Sequence, residues 1–119
     1  MISKLMVLGA SAMMFPALSH ASGLGWSGTC RNSSLTVNVA PFDDDAQITI
    51  TNGKQVLYDG VAIVSTFDKG AELIEFYDGR KMKLTVRRSE TLPEGQGDLT
   101  LAGKSAKTLT CNLFYVDTN

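Results

Sequence analysis

Beyond its first 21 residues the chain contains no histidine. The single imidazole, His20, lies in the opening segment, and four of the five methionines lie there too, leaving Met82 alone. Without histidine there is no Ser-His-Asp or Cys-His machinery, and the usual nitrogen ligand for zinc is also missing. Cysteine is nearly as scarce, with only Cys30 and Cys111, and tryptophan occurs once, at Trp26. No apolar run after residue 21 approaches the roughly 20 residues of a bilayer-spanning helix. Strong charge is lacking as well. Setting Lys4 aside leaves 10 basic residues against 12 acidic ones, a formal charge of −2. That balance argues against a general binder of nucleic acid or of anionic membrane.

The opening segment reads as an export signal. Lys4 supplies a positive start, residues 5–18 an apolar run, and Ser19-His20-Ala21 places small residues at the two positions a signal peptidase reads. The sequence therefore divides into a cleaved signal peptide, 1–21, and one β domain, 22–119. No cysteine stands at the cleavage site to accept a lipid. The protein is expected in the periplasm or the medium, where an even pair of thiols oxidises to a disulfide. Closing the long loop between Cys30 and Cys111 is worth up to about 4.5 kcal/mol by chain entropy.

The remainder reads as strands. Met82, Leu84 and Val86 alternate with Lys81, Lys83, Thr85 and Arg87, a two-residue period with one buried face. Similar segments are expected at 35–39, 47–51, 54–58, 61–67, 72–76, 98–101 and 108–116, with a short further piece at 26–30. Turns are expected at Asn52-Gly53, Asp59-Gly60 and Asp78-Gly79, where a residue tolerant of the left-handed region precedes glycine. Around Asp78, parity favours a three-residue loop, Tyr77-Asp78-Gly79, pairing Ile74 with Met82 and Glu75 with Lys81, because a slip of one residue would put apolar side chains on the basic face.

The fold class that follows is all-β, a small antiparallel meander of about eight strands. If Cys30 near the start is bonded to Cys111 near the end, the first and last strands meet, so a closed barrel is favoured over a two-sheet sandwich. In size, paired terminal cysteines and strand number the chain resembles the small periplasmic barrel inhibitors of C-type lysozymes. Their Ser-Gly-x-x-Tyr segment followed by Tyr-x-Trp is absent, so the likeness implies an architecture and no residue roles.

Candidate functional features are few. Asp43-Asp44-Asp45 lacks the glycine of an EF-type calcium loop, where Ile48 stands, and reads as a solvated connector. Asn32-Ser33-Ser34 fits a glycosylation acceptor in a eukaryotic context. Trp26, in a glycine-rich approach, is a candidate partner contact, with a plug at the barrel end as the plainer reading. The polar stretch 89–97 is the longest connection and a candidate contact loop. Arg80, Lys81, Lys83, Arg87 and Arg88 form the one local charge asymmetry, a candidate docking face for an anionic partner; a solvated strand face balanced by Glu72 and Glu75 is the plainer reading.

No cofactor or metal motif and no catalytic constellation stands out. The function expected is a small exported, non-enzymatic binding or inhibitor-like module acting on an extracytoplasmic protein or an anionic envelope polymer, with a structural envelope protein as the alternative. The first test is processing. Intact-mass analysis of exported protein should find Ser22 at the amino terminus; recovery of a chain still carrying Met1 would remove the export reading.

Overall fold

The structure, a computed structural model, describes residues 24–66, 71–89 and 93–117. The expected signal segment, Phe67 at the end of one expected strand, and residues 90–92 of the polar stretch lie outside the described residues. Eight antiparallel strands close into a barrel in plain sequence order. They are β1 (Leu24–Arg31), β2 (Leu35–Phe42), β3 (Asp45–Asn52), β4 (Gln55–Val64), β5 (Leu73–Asp78), β6 (Met82–Arg88), β7 (Glu94–Leu101) and β8 (Lys107–Asp117).

Alternation builds the core. Trp26 and Cys30, Val37 and Val39, Ile48 and Ile50, Ile74 and Phe76, the Met82-Leu84-Val86 series, Leu99, and Leu109 with Leu113 all point inward and are buried. Their chain neighbours on the strands face out, as the two-residue period requires. Closure is made by β1 against β8, which pair from Leu24 opposite Asp117 to Arg31 opposite Thr110. Within that ladder Cys30 stands directly opposite Cys111, and the two form a disulfide inside the barrel. The bridge is consistent with folding in an oxidising, extracytoplasmic compartment.

Three local expectations need correction. The first is the turn at Asp59-Gly60: the segments expected at 54–58 and 61–67 are one continuous strand, β4. Tyr58 and Gly60 share the inward face, and a Cβ at Gly60 would come within 2.9 Å of the Tyr58 hydroxyl. Glycine is there to make room for the phenol ring, not to turn the chain. Asp59 faces out and accepts hydrogen bonds from Gln47 Nε2 at 2.8 Å and Thr49 Oγ1 at 3.3 Å, both on β3. These cross-strand bonds hold the backbone extended where local propensity favours a bend.

The second is the register of β5 on β6. The observed loop is Gly79-Arg80-Lys81, with Gly79 at φ 53°, so that Asp78 faces Met82, Phe76 faces Leu84 and Ile74 faces Val86. The ladder has moved by an even number of residues relative to the expected pairing of Ile74 with Met82. Every side chain therefore keeps its expected face while changing its partner. Glu75 lies opposite Thr85 and meets Lys83 diagonally at 3.6 Å, instead of pairing with Lys81.

The third is the polar stretch 89–97. Its second half belongs to β7, which begins at Glu94 and runs through two glycines. Gly95 lies opposite Cys111 and Gly97 opposite Leu109. A Cβ on Gly97 would sit 2.6 Å from Cys111 Sγ and 3.4 Å from Leu84 Cδ1. Glycine looks like a loop signal in sequence, yet here it clears space for the bridge.

A double-mutant cycle tests this dependence. Gly97→Ala should cost about 1–3 kcal/mol by overpacking when the bridge is present. In a Cys30→Ala/Cys111→Ala background, denaturant unfolding should show most of that cost removed. Equal costs in both backgrounds would mean that Gly97 serves another purpose.

Candidate functional site

The two ends of the barrel differ. At the end where β1 begins, the interior is filled. Trp26 is 1% exposed, its indole Nε1 donates to the Thr66 carbonyl at 2.8 Å, Tyr115 meets it edge-on at 5.3 Å between ring centroids, and the Arg88 guanidinium lies 4.6 Å from its centroid. An aromatic pair and a cation over the indole face hold the ring in place. Trp26 is thus built into the barrel end and has almost no free face.

The five basic residues do not form one surface. Arg80 and Lys81 lie in the β5–β6 turn, Lys83 reaches Glu75 from the outer face of β6, Arg87 is exposed near the far end of the same strand, and Arg88 turns toward Trp26. Asp43 and Asp44 form the β2–β3 turn, with Asp43 at φ 53°, and Asp45 opens β3. Asn32 organises the β1–β2 turn: its Oδ1 accepts from the Ser34 and Leu35 backbone amides at 2.8 Å each, while its Nδ2 donates to the Thr108 carbonyl at 3.1 Å.

The wall opposite the disulfide is closed by the shortest seam among the described residues. Among the described residues β4 and β5 are paired at two positions, Ile63 with Tyr77 and Val64 with Phe76, whereas every other seam is longer. Ser65 extends the contact by donating its amide to the Glu75 carbonyl at 2.9 Å. Toward the other end β5 stops at Asp78, but β4 continues as far as Gln55, paired with β3 on one side and with no strand pairing on the β5 side among the described residues. A bulge between Ile50 and Thr51 of β3 and the facing part of β4 turns this stretch further from a flat ladder. Six of the seven large apolar side chains exposed among the described residues belong to these two strands: Val56, Leu57, Val61, Ile63, Leu73 and Tyr77.

One side-chain bond crosses the gap. Tyr58, on the inner face of β4, donates its hydroxyl to Asp78 Oδ2 at 2.7 Å. Burial first, and then the bond to the Asp78 carboxylate with its negative charge, push the phenol well above its ordinary range, so it stays protonated. Beside it the barrel mouth opens into a cavity of about 770 Å³. Leu35, Leu57, Tyr58, Leu99 and Leu101 line it, with Lys81, Lys104 and Lys107 among the polar residues and no carboxylate.

Of the candidate partner contacts named from the sequence, Lys81 lines this mouth, and Ser34 of the candidate glycosylation acceptor lines it too. Lys104, Lys107, Tyr58 and Asp78 were not singled out. A signal for Lys107 was available, since it shares the parity of Leu109, Cys111 and Leu113 on β8 and so takes an inward position at the rim. No family model, no curated protein and no solved structure matches the chain.

Tyr58→Phe should weaken the fold by about 1 kcal/mol, the usual worth of such a hydrogen bond. The gap between the two proteins should narrow above about pH 10, where the unfolded chain begins to release the phenol proton that the folded chain retains. A pKa raised by folding gives stability that is complete below the unfolded chain's value and is lost as the pH rises above it. Urea unfolding at neutral and alkaline pH checks this, and a gap unchanged with pH would count against the assigned role.

Proposed function

We propose that this chain is exported to the periplasm or the medium and acts there as a non-enzymatic binding module, taking an extended segment of another extracytoplasmic protein onto the free edge of β4. The observation that carries the reading is the length of β4 left unpaired on the β5 side in an otherwise closed barrel. Hydrogen-bonded positions recur at every second residue of an antiparallel ladder. Since the Ser65 amide bonds across to β5, the same alternation aims the backbone groups of Val61 and Asp59 into the gap. An added strand would satisfy them, and alternate side chains would rest on Val61, Ile63 and Tyr77. The chemistry asks for a polypeptide, because a sugar or phosphate polymer offers no matching row of amides and carbonyls. An anionic polymer is supported less well, given that the basic residues are spread over both ends and both faces.

Photo-crosslinking tests the site. A crosslinking residue placed at Ile63 or Tyr77 should capture an extracytoplasmic protein that the same residue at Asn38, on the opposite wall, does not. Ile63→Glu and Tyr77→Glu should weaken that partner by roughly tenfold or more while altering stability by only about 0.5 kcal/mol, as expected for exposed positions. Equal capture from both walls, or none from either, would reject the edge as the docking surface.

A further inference from the structure

We infer that the hairpin-end mouth is a binding site for a small amphipathic anion, an alkyl or aryl chain carrying one acidic head group. The inference goes beyond the protein-binding reading and does not depend on it. An eight-stranded barrel is just wide enough for its own side chains to fill, or to leave room for one small ligand. Here the filling stops short at one end. Leu99 and Leu109 close the core below, and above them lies the cavity of about 770 Å³, within the ordinary range for small-molecule sites.

The lining separates by chemistry. Leu35, Leu57 and Leu101 offer walls that gain from covering hydrocarbon. Lys81, Lys104 and Lys107 offer three ammonium groups, each from a different stretch of chain: the β5–β6 turn, the β7–β8 turn and the start of β8. Lys107 is the telling residue. It lies opposite Leu99 and takes the inward parity of β8 one step past the buried Leu109, at an exposed position on the rim. Asp78, the acid nearest by strand position, is held by the Tyr58 hydroxyl, and no carboxylate is among the described residues lining the cavity. Three lysines lining the mouth against the one carboxylate behind Tyr58 leave it net positive. A cation would be repelled, a neutral chain would leave the ammonium groups unused, and a fully polar anion would leave the leucines wet.

Two sources share this chemistry, a free alkyl carboxylate and the single-chain lysolipid of an anionic phospholipid. Dodecanoate and lysophosphatidylglycerol, both below their micelle concentrations, serve as probes, with dodecyltrimethylammonium as the cationic control. Calorimetry should give saturable one-to-one binding of at least one anion, weakened by salt, and none of the cation. Amide shift changes in NMR spectra should cluster at 34–35, 52–58 and 99–107. Whichever anion binds more tightly assigns the source.

Two variants check the lining separately. Lys81→Ala/Lys104→Ala/Lys107→Ala should weaken the anion by roughly tenfold or more with little change in melting. Leu101→Trp should block binding by filling the mouth. Affinity unchanged in both, equal binding of the cation, or no binding of either anion would overturn the inference, and each of these leaves the crosslinking result at β4 standing.

Discussion

A sheet that closes on itself must bring its first strand against its last in one register, and in this chain that requirement falls on Cys30 and Cys111. Their direct opposition in the β1–β8 ladder means that the covalent bond and the hydrogen-bonded closure enforce the same alignment. A slip of one residue would turn one sulfur out of the barrel and expose the faces carrying Trp26 and Leu113. The bridge also occupies interior volume. Gly97 on β7 gives up its side chain to admit the Cys111 sulfur, so three consecutive strands around the ring share one packing arrangement. Cross-linking residues 81 positions apart restricts the unfolded chain over most of its length, and native strain sets how much of the chain-entropy gain survives.

In a ring of eight strands the seam between β4 and β5 is diametrically opposite the seam between β8 and β1. The first is the shortest ladder and the second carries the disulfide. The inequality has a local cause. β4 has 10 residues and β5 has 6, and the Gly79-Arg80-Lys81 turn sends the chain back before β5 can match the length of β4. A bare strand edge invites indiscriminate pairing. Asp59, on the outer face, is bonded sideways to Gln47 and Thr49 of β3 and adds a polar group beside the apolar side chains of this stretch. Tyr58 and Asp78 tie the two strands across the gap from inside. The short seam is therefore a bounded feature, with a polar group outside and a polar tie within.

Much of the architecture was legible because a β-sheet writes its buried face at every second position. Met82, Leu84 and Val86 identify their strand and its inner face, and the pair Cys30 and Cys111 indicates closure. What parity does not encode is which even shift is adopted. Parity therefore fixes the face of Glu75 but not its partner, which is Thr85 and not Lys81. The turn expected at Asp59-Gly60 failed for a different reason: the space that Tyr58 needs over Gly60 is a contact along the strand, invisible to a rule that reads Asp-Gly as a bend. The mouth was hidden because Lys81, Lys104 and Lys107 come from separate stretches that only the closed barrel brings to one rim. Trp26 was legible as a plug in outline, but its partners Arg88 and Thr66 lie far along the chain.

The contrast between the two ends follows from the same alternation carried past the core in opposite directions. Toward the start of β1 the inward positions continue as Trp26, Tyr115 and Arg88, large groups that stack and leave no room. Toward the hairpins they continue as Asn52, Leu101 and Lys107, of which two are polar and all three line the cavity. Lys107 is exposed at the rim, so a leucine there would be only partly covered and would gain less than the roughly 1.5–3 kcal/mol of a fully buried leucine. Keeping an ammonium group at an inward position is understandable if the mouth has to remain open and wet, a local sacrifice of stability of the kind that sites impose on folds.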